Sequence, residues 1–212
     1  MRIALIHALK HSIQPIEASF ARLWPDASLM NLLDDSLSAD VAREGRLTAD
    51  MTDRFLTLGR YAASTGTEAI LFTCSAFGPC IEAVARERAP MPVLKPNQAM
   101  IEQAAARGHR IGLLSTFAPT LQSMPGEFPS SLQIVPKLAE GALAALDRGE
   151  RAEHDRLVAQ ASRDLRDCDL IALAQYSMAP AAALVAEASG RPVLTTPDSA
   201  VLKLKELLAV KA

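Results

Sequence analysis

Residues 70–79 read Ile70-Leu71-Phe72-Thr73-Cys74-Ser75-Ala76-Phe77-Gly78-Pro79, and residues 171–180 read Ile171-Ala172-Leu173-Ala174-Gln175-Tyr176-Ser177-Met178-Ala179-Pro180. The two stretches align without a gap at an offset of 101 residues. Each opens with a short apolar run of strand length and closes on a proline suited to the first turn of a helix. Working outward, Arg2-Ile3-Ala4-Leu5-Ile6 returns as Arg110-Ile111-Gly112-Leu113-Leu114, and Pro92-Val93-Leu94 as Pro192-Val193-Leu194. Those offsets are 108 and 100, which differ from 101 only by loop lengths. Three matches in the same order predict two similar lobes.

Eight apolar runs have strand length: residues 3–8, 29–33, 69–72, 92–94, 111–114, 132–135, 170–174 and 192–194. Between them lie segments with helical spacing, such as Ile16/Phe20/Leu23, Met51/Phe55/Leu58 and Leu138/Leu143/Leu146. Gly66, Gly108 and Gly190 each follow such a segment, where a left-handed cap favours glycine. The alternation predicts an α/β fold: two pseudo-symmetric lobes, each a parallel sheet flanked by helices, with an active-site cleft between them. The expected first lobe is residues 1–95 plus the terminal helix near 198–212, and the second is 96–197. Ligands of such sheets bind beyond the carboxyl ends of the strands, so the residues at those ends are the candidates for chemistry.

Composition excludes several classes. The chain has 212 residues, half of them hydrophobic, enough to bury a substantial core. A net charge of −2 without acidic or basic blocks leaves no electrostatic footprint for nucleic acid or an anionic membrane. Aromatic residues make up only 4%, which provides no base-stacking platform. No apolar run approaches the ~20 residues of a membrane span, and the apolar start is too short for a signal peptide. Three cysteines at 74, 80 and 168 make no disulfide framework. A cytoplasmic location is therefore expected.

In the first lobe, Cys74 follows a buried strand and precedes the helix opening at Pro79. Unpaired N–H groups at such a start bind anions and favour thiolate, so Cys74 is expected to be a base or nucleophile at neutral pH. The competing reading is a small buried hydrophobe. Cys80 and Cys168 match no zinc spacing and read as packing residues. His7, at the end of the first strand, and His11 read either as functional groups or as hydrogen-bonded loop histidines. In the second lobe, Ser115, Thr116 and Thr120 follow one strand and Gln175, Tyr176 and Ser177 another. Short hydroxyls and amides there hold a carboxylate, or merely cap the next helix. No nucleotide-binding glycine pattern follows the first strand.

The twin lobes, Thr73-Cys74-Ser75, Gly112-Leu113-Leu114-Ser115-Thr116 and the loop Gln175–Pro180 together resemble the aspartate/glutamate/hydantoin racemase superfamily over essentially the whole chain. The resemblance implies a cofactor-independent enzyme that clamps a small carboxylate between its lobes. Members of that superfamily usually place one cysteine on each lobe, and each moves a proton on one face of the carbon beside the carboxylate. This sequence matches the first cysteine with Cys74 and carries Gln175 in place of the second. A carboxamide is neither acid nor base near neutral pH. His7 stands where glutamate racemases carry an aspartate, and Ser177 where they carry a histidine. Related arylmalonate decarboxylases use one cysteine, on the opposite lobe, to protonate an enolate, and maleate isomerases use a cysteine as nucleophile.

The expected function is an isomerase or racemase-like enzyme acting on a small carboxylate or carbonyl compound. Cys74 is its single acid/base or nucleophile, and His7, Thr73, Ser75, Ala76, Ser115, Thr116, Thr120, Gln175, Tyr176 and Ser177 surround the substrate. The alternatives are a one-cysteine decarboxylase of the same fold and a non-catalytic small-carboxylate binder. A weaker reading makes His7 or Tyr176 the missing acid. No cofactor, metal, nucleic acid or membrane partner is expected, and self-association is left open. Slow racemisation of free aspartate and glutamate is expected.

Overall fold

The computed structural model describes residues 1–209. The chain divides into two compact units, one of residues 1–98 and 200–212 and one of residues 99–199. The last three residues of the terminal helix expected near 198–212 lie outside the described residues.

The first unit holds a four-stranded parallel sheet of β1 (Arg2–His7), β2 (Ser28–Leu33), β3 (Ala69–Phe72) and β4 (Val93–Leu94), in the order β2-β1-β3-β4. The second repeats it with β5 (Arg110–Ser115), β6 (Gln133–Leu138), β7 (Leu170–Leu173) and β8 (Val193–Thr195), in the order β6-β5-β7-β8. The correspondence extends to register. Ile6 lies opposite Phe72 in one sheet and Leu114 opposite Leu173 in the other. One residue on, Thr73 N–H donates to Ile6 O and Ala174 N–H to Leu114 O, both at 3.0 Å. Cys74 and Gln175 therefore occupy equivalent places in their own sheets. In each sheet the chain order reverses between the two central strands, and ligands of doubly wound sheets bind at that switch point.

The central strands are buried on both faces, so their side chains sort by period two. In the first unit, Ala4, Ile6, Ile70 and Phe72 pack with Leu37 of α2 (Ser36–Glu44), Met51 and Phe55 of α3 (Ala49–Ser64), and Ile81 and Val84 of α4 (Gly78–Arg88). Ile3 and Leu5 are equally buried, as are Ile16 and Phe20 of α1 (Ile13–Leu23). In the second unit, Leu114, Ile171 and Leu173 pack with Val158 of α8 (Arg151–Ser162) and Val185 of α9 (Ala182–Ser189). The alternate set, Ile111, Leu113, Leu170 and Ala172, packs with Met100 and Ala104 of α5 (Gln98–Arg107). The remaining helices are α6 (Ala118–Ser123), α7 (Ala142–Asp147) and α10 (Thr196–Ala209).

Two local expectations need correction. Leu138 ends β6 instead of opening a helix, and α7 begins only at Ala142. Gly66 and Gly190 adopt the left-handed conformation expected of a helix end, at φ 77° and 70°, but Gly108 does not. A Cβ at Gly108 would lie 2.9 Å from Asp169 Cβ, so close approach of two segments is what requires glycine there. Among the described residues, no helix is long and apolar enough to cross a membrane.

Candidate functional site

Cys74 leaves β3 in extended conformation and caps a short 3-10 turn, Ser75–Phe77, which runs directly into α4 with Pro79 in its first turn. The cysteine is half-buried, whereas Ser75 and Ala76 are exposed. The Ala76 backbone N–H donates to the sulfur and lowers its proton affinity, but burial is the larger effect and pushes the thiol above its ordinary range. The expectation of a thiolate at neutral pH is thereby corrected. The 3-10 turn separates the sulfur from the helix proper, and one amide does not offset desolvation. Cys80 and Cys168 are buried, as packing residues should be. Cys80 Sγ lies 3.4 Å from Thr52 Oγ1.

Thr73, next to the cysteine, belongs to a buried hydrogen-bond chain. Asn31 Nδ2 donates to Glu17 Oε1 at 2.7 Å, which turns its carbonyl oxygen toward His7 Nε2 at 2.9 Å. Nε2 must therefore carry a proton. In the neutral ring Nδ1 is then an acceptor, 2.8 Å from Thr73 Oγ1 and 3.1 Å from Ser12 Oγ. The two hydroxyls lie 2.8 Å apart, and Ser12 Oγ also donates to Leu9 O at 2.8 Å. Burial lowers the His7 pKa, opposed by the Asn31 hydrogen bond and the Glu17 charge. His7 is fully buried with both nitrogens engaged, so it is not presented to a ligand. It orients Thr73. His11, on the turn Lys10–Ser12, is exposed.

At the equivalent place in the second unit, Gln175 Oε1 accepts from Thr116 N–H at 2.8 Å, Thr116 Oγ1 at 2.9 Å and Ser115 Oγ at 3.0 Å. Ser115 Oγ also receives Phe117 N–H and contacts Phe117 O, each at 3.0 Å. Ser115 and Thr116, expected to hold a substrate carboxylate, are buried and already hold the Gln175 carbonyl. The Gln175 Nε2 group has no hydrogen-bond partner among the described residues. Thr120, half-buried in α6, donates its N–H to Phe117 O at 3.1 Å. Ser177 is half-buried in the 3-10 turn Tyr176–Ala181.

Tyr176 departs from both roles considered for it. The residue is 5% exposed, and its hydroxyl is buried with no hydrogen-bond partner among the described residues. Burial raises its proton affinity, so it neither reaches a ligand nor releases a proton near neutral pH.

Ser12, Glu17 and Asn31 are not among the candidates from sequence, because no local motif links them to His7. Leu9 and Phe117 are large apolar residues exposed to 46% and 47%. These two are related by the same 108-residue offset that relates Arg2 to Arg110. Among the described residues, no group of three or more His, Cys, Asp or Glu side chains is placed to hold a metal.

Two four-stranded parallel sheets with corresponding switch-point residues, one ending in a cysteine, define a two-lobed α/β class built by internal repetition. The Asp/Glu/hydantoin racemase family model matches residues 11–201, and the chain belongs to that family. Its fold is similar to that of allantoin racemase from Klebsiella pneumoniae, at 19% identity and TM-score 0.74, covering 100% of this chain and 89% of that one. Glutamate racemase isoform RacE1 from Bacillus anthracis matches at 15% identity and TM-score 0.73, covering 99% of this chain and 82% of that one. Unliganded arylmalonate decarboxylase matches at 18% identity and TM-score 0.65, over 97% and 92% respectively. No curated protein matches the chain by sequence.

Proposed function

We propose that the protein is a cofactor-independent isomerase or racemase-like enzyme that moves a proton at the carbon beside a carboxylate or carbonyl group, with Cys74 as its single acid/base. The observation that carries this reading is the position of Cys74 at the switch point of its sheet, half-buried, with the Ala76 amide on its sulfur. That amide stabilises the thiolate more than the thiol, so it helps form the base that takes the substrate's proton and becomes the thiol that returns it. The neighbouring loop residues Ser75 and Ala76 are exposed, on the side from which a small ligand would approach the sulfur in this reading. Thr73, fixed by His7, keeps the strand end in place. With one titratable group the proton leaves and returns through the same sulfur, and exchange proceeds with retention of configuration.

A second reading is favoured by the elevated thiol. A sulfur that holds its proton at neutral pH is primed as a donor, and a one-cysteine decarboxylase needs a donor to protonate the enolate left after loss of carbon dioxide.

The two readings predict opposite pH dependence. Hydrogen exchange into amino acids, hydantoins and carboxylic acids in heavy water should rise with pH as thiolate forms. Decarboxylation of a malonate-type acid should fall over the same range as the thiol is lost. Either activity should drop by about 10²–10⁴ in Cys74→Ala, the span of a general acid–base catalyst. Activity that persists in Cys74→Ala overturns both readings. A protein that binds such compounds but exchanges and decarboxylates none of them is a binder.

A further inference from the structure

Two helices of the second unit enclose a cavity that the choice of Cys74 as acid/base does not use. It measures about 450 Å³, within the range of small-molecule sites. Arg156 and Gln160 of α8 line it, with Arg163 and Arg166 where the chain turns beyond that helix, and Leu184 and Glu187 of α9. Positions 156, 160 and 163 share one helical face, as do 184 and 187, so each helix turns one stripe of side chains to the cavity. Val158 and Val185 pack the same two helices together in the core beneath. Leu184 is 45% exposed, a large apolar side chain among polar neighbours.

The hydrogen bonds already made show which groups remain for a ligand. Arg156 grips Glu153 through Nε and Nη2, both at 2.7 Å, and donates from Nη1 to Gln160 Oε1 at 3.1 Å. The last bond commits the Gln160 carbonyl to Arg156 and leaves its NH2 unused. Arg166 donates from Nε at 3.3 Å and Nη2 at 2.9 Å to Ala188 O in the last turn of α9, which holds its guanidinium with Nη1 free. The side chains of Arg163 and Glu187 make no hydrogen bond or ion pair among the described residues. Three guanidinium groups therefore line the cavity with one carboxylate, and Arg156 is matched by Glu153 outside the lining. One positive charge is left over. Asp164 and Asp167, next to Arg163 and Arg166 in sequence, do not line the cavity, and Asp164 pairs with Lys137.

We propose that this cavity is a second ligand site, for a small amphipathic anion: a single carboxylate or phosphodiester head on Arg163, Arg166 and the Gln160 amide, and an apolar tail against Leu184. The planar guanidinium matches the paired oxygens of either head. A singly charged head balances the surplus of one cation, whereas a dianion also meets the charge of Glu187. The two bonds that hold Arg166 fix it before the ligand arrives, so less side-chain freedom is lost on binding. The site lies wholly within the second unit and does not depend on the role of Cys74.

The probes are hexanoate and dibutyl phosphate, with hexanol as the uncharged match and adipate as the dianion. Each is titrated into the full chain while backbone amide NMR shifts are followed. The two monoanions separate a carboxylate source from a phosphodiester one, and at least one should saturably shift the amides of residues 160–166 and 184–188. Hexanol and adipate should bind there several-fold more weakly. Arg163→Gln should weaken the monoanion about threefold to tenfold, and Glu187→Gln should tighten it about twofold to fivefold by removing a repulsion. Both positions are exposed, so both variants should keep the wild-type spectrum elsewhere. Opposite signs at two exposed positions are not the result of a merely structural role. Cys74→Ala should leave the titration unchanged, which separates this site from the proposed chemistry of the first unit. The proposal is overturned by no saturable shift at these amides, by hexanol or adipate binding as well as the monoanions, or by Arg163→Gln without effect. Weaker binding in Glu187→Gln, or loss of the response in Cys74→Ala, overturns it equally.

Discussion

At the scale of single residues, the structure redistributes the roles suggested by residue type. His7 and Gln175 both stand at switch points, but each is held by its own unit, His7 through Asn31, Thr73 and Ser12, and Gln175 through Ser115 and Thr116. Identity alone offered them as ligand contacts. What removes His7 from that list is complete burial, a property no single position in a sequence declares. Its burial has a measurable consequence. The folded-state pKa of His7 lies below its ordinary 6.5, so folding favours the neutral ring. Stability from this group is full above the unfolded value and is lost as pH falls through the folded one. Melting temperature should therefore decline as pH falls below the ordinary histidine value, and His7→Gln should be less stable at neutral pH with a shallower decline. An identical slope in wild type and variant would assign the pH dependence to other groups.

At the scale of elements, helix identity follows from periodicity, but helix packing sets finer demands. In α3 the buried positions Met51, Phe55, Gly59 and Ala62 recur at helical spacing, and Thr48 caps the start by accepting Met51 N–H at 3.3 Å. Glycine inside a helix normally costs about 1 kcal/mol relative to alanine. At Gly59 the reason for tolerating it is space, since a Cβ would lie 2.6 Å from Val84 Cγ1 on α4. Valine is stiff at χ1 within a helix, so that methyl cannot swing away without strain. Overpacking of this kind costs about 1–3 kcal/mol, as large as the propensity gain or larger. Gly59→Ala should therefore lower or at best hold the urea midpoint, whereas the unobstructed Gly78→Ala should not suffer from crowding. A clear rise in midpoint for Gly59→Ala would mean that the α3–α4 contact yields at little cost.

At the scale of the whole molecule, each unit is a sheet sealed on both faces, and protection should follow strand position. β1, β3, β5 and β7 are central, and their residues are almost entirely buried, whereas β2 and β6 lie at the edges with exposed and half-buried positions. Amide hydrogen exchange read by mass spectrometry should thus be slowest in the four central strands and faster in β2 and β6. The same order should hold in both units. Fast exchange in β5 and β7 alone would show that the second unit opens independently of the pattern its twin obeys.

Legible in the sequence alone were the α/β class, the eight strands and the equivalence of Cys74 and Gln175 in their own sheets. Those features rest on local information: apolar runs of strand length, helical spacing, and a repeat whose offsets of 108, 101 and 100 survive in the register of both sheets. It also identified Cys80 and Cys168 as packing residues. Tertiary structure alone decided which polar side chains are spent internally. Glu17, Asn31 and His7 are far apart in sequence and meet because β1 and β2 lie side by side with α1 nearby. The Gln175 carbonyl finds Ser115 and Thr116 because β5 and β7 are neighbours in the sheet. The Tyr176 hydroxyl is stranded and the Cys74 thiol raised because burial is a sum over neighbours from many parts of the chain. Local pattern fixes elements because it acts through nearby backbone geometry. Proton affinity and hydrogen-bond partnership are set by what the completed fold places within reach and what it removes from water.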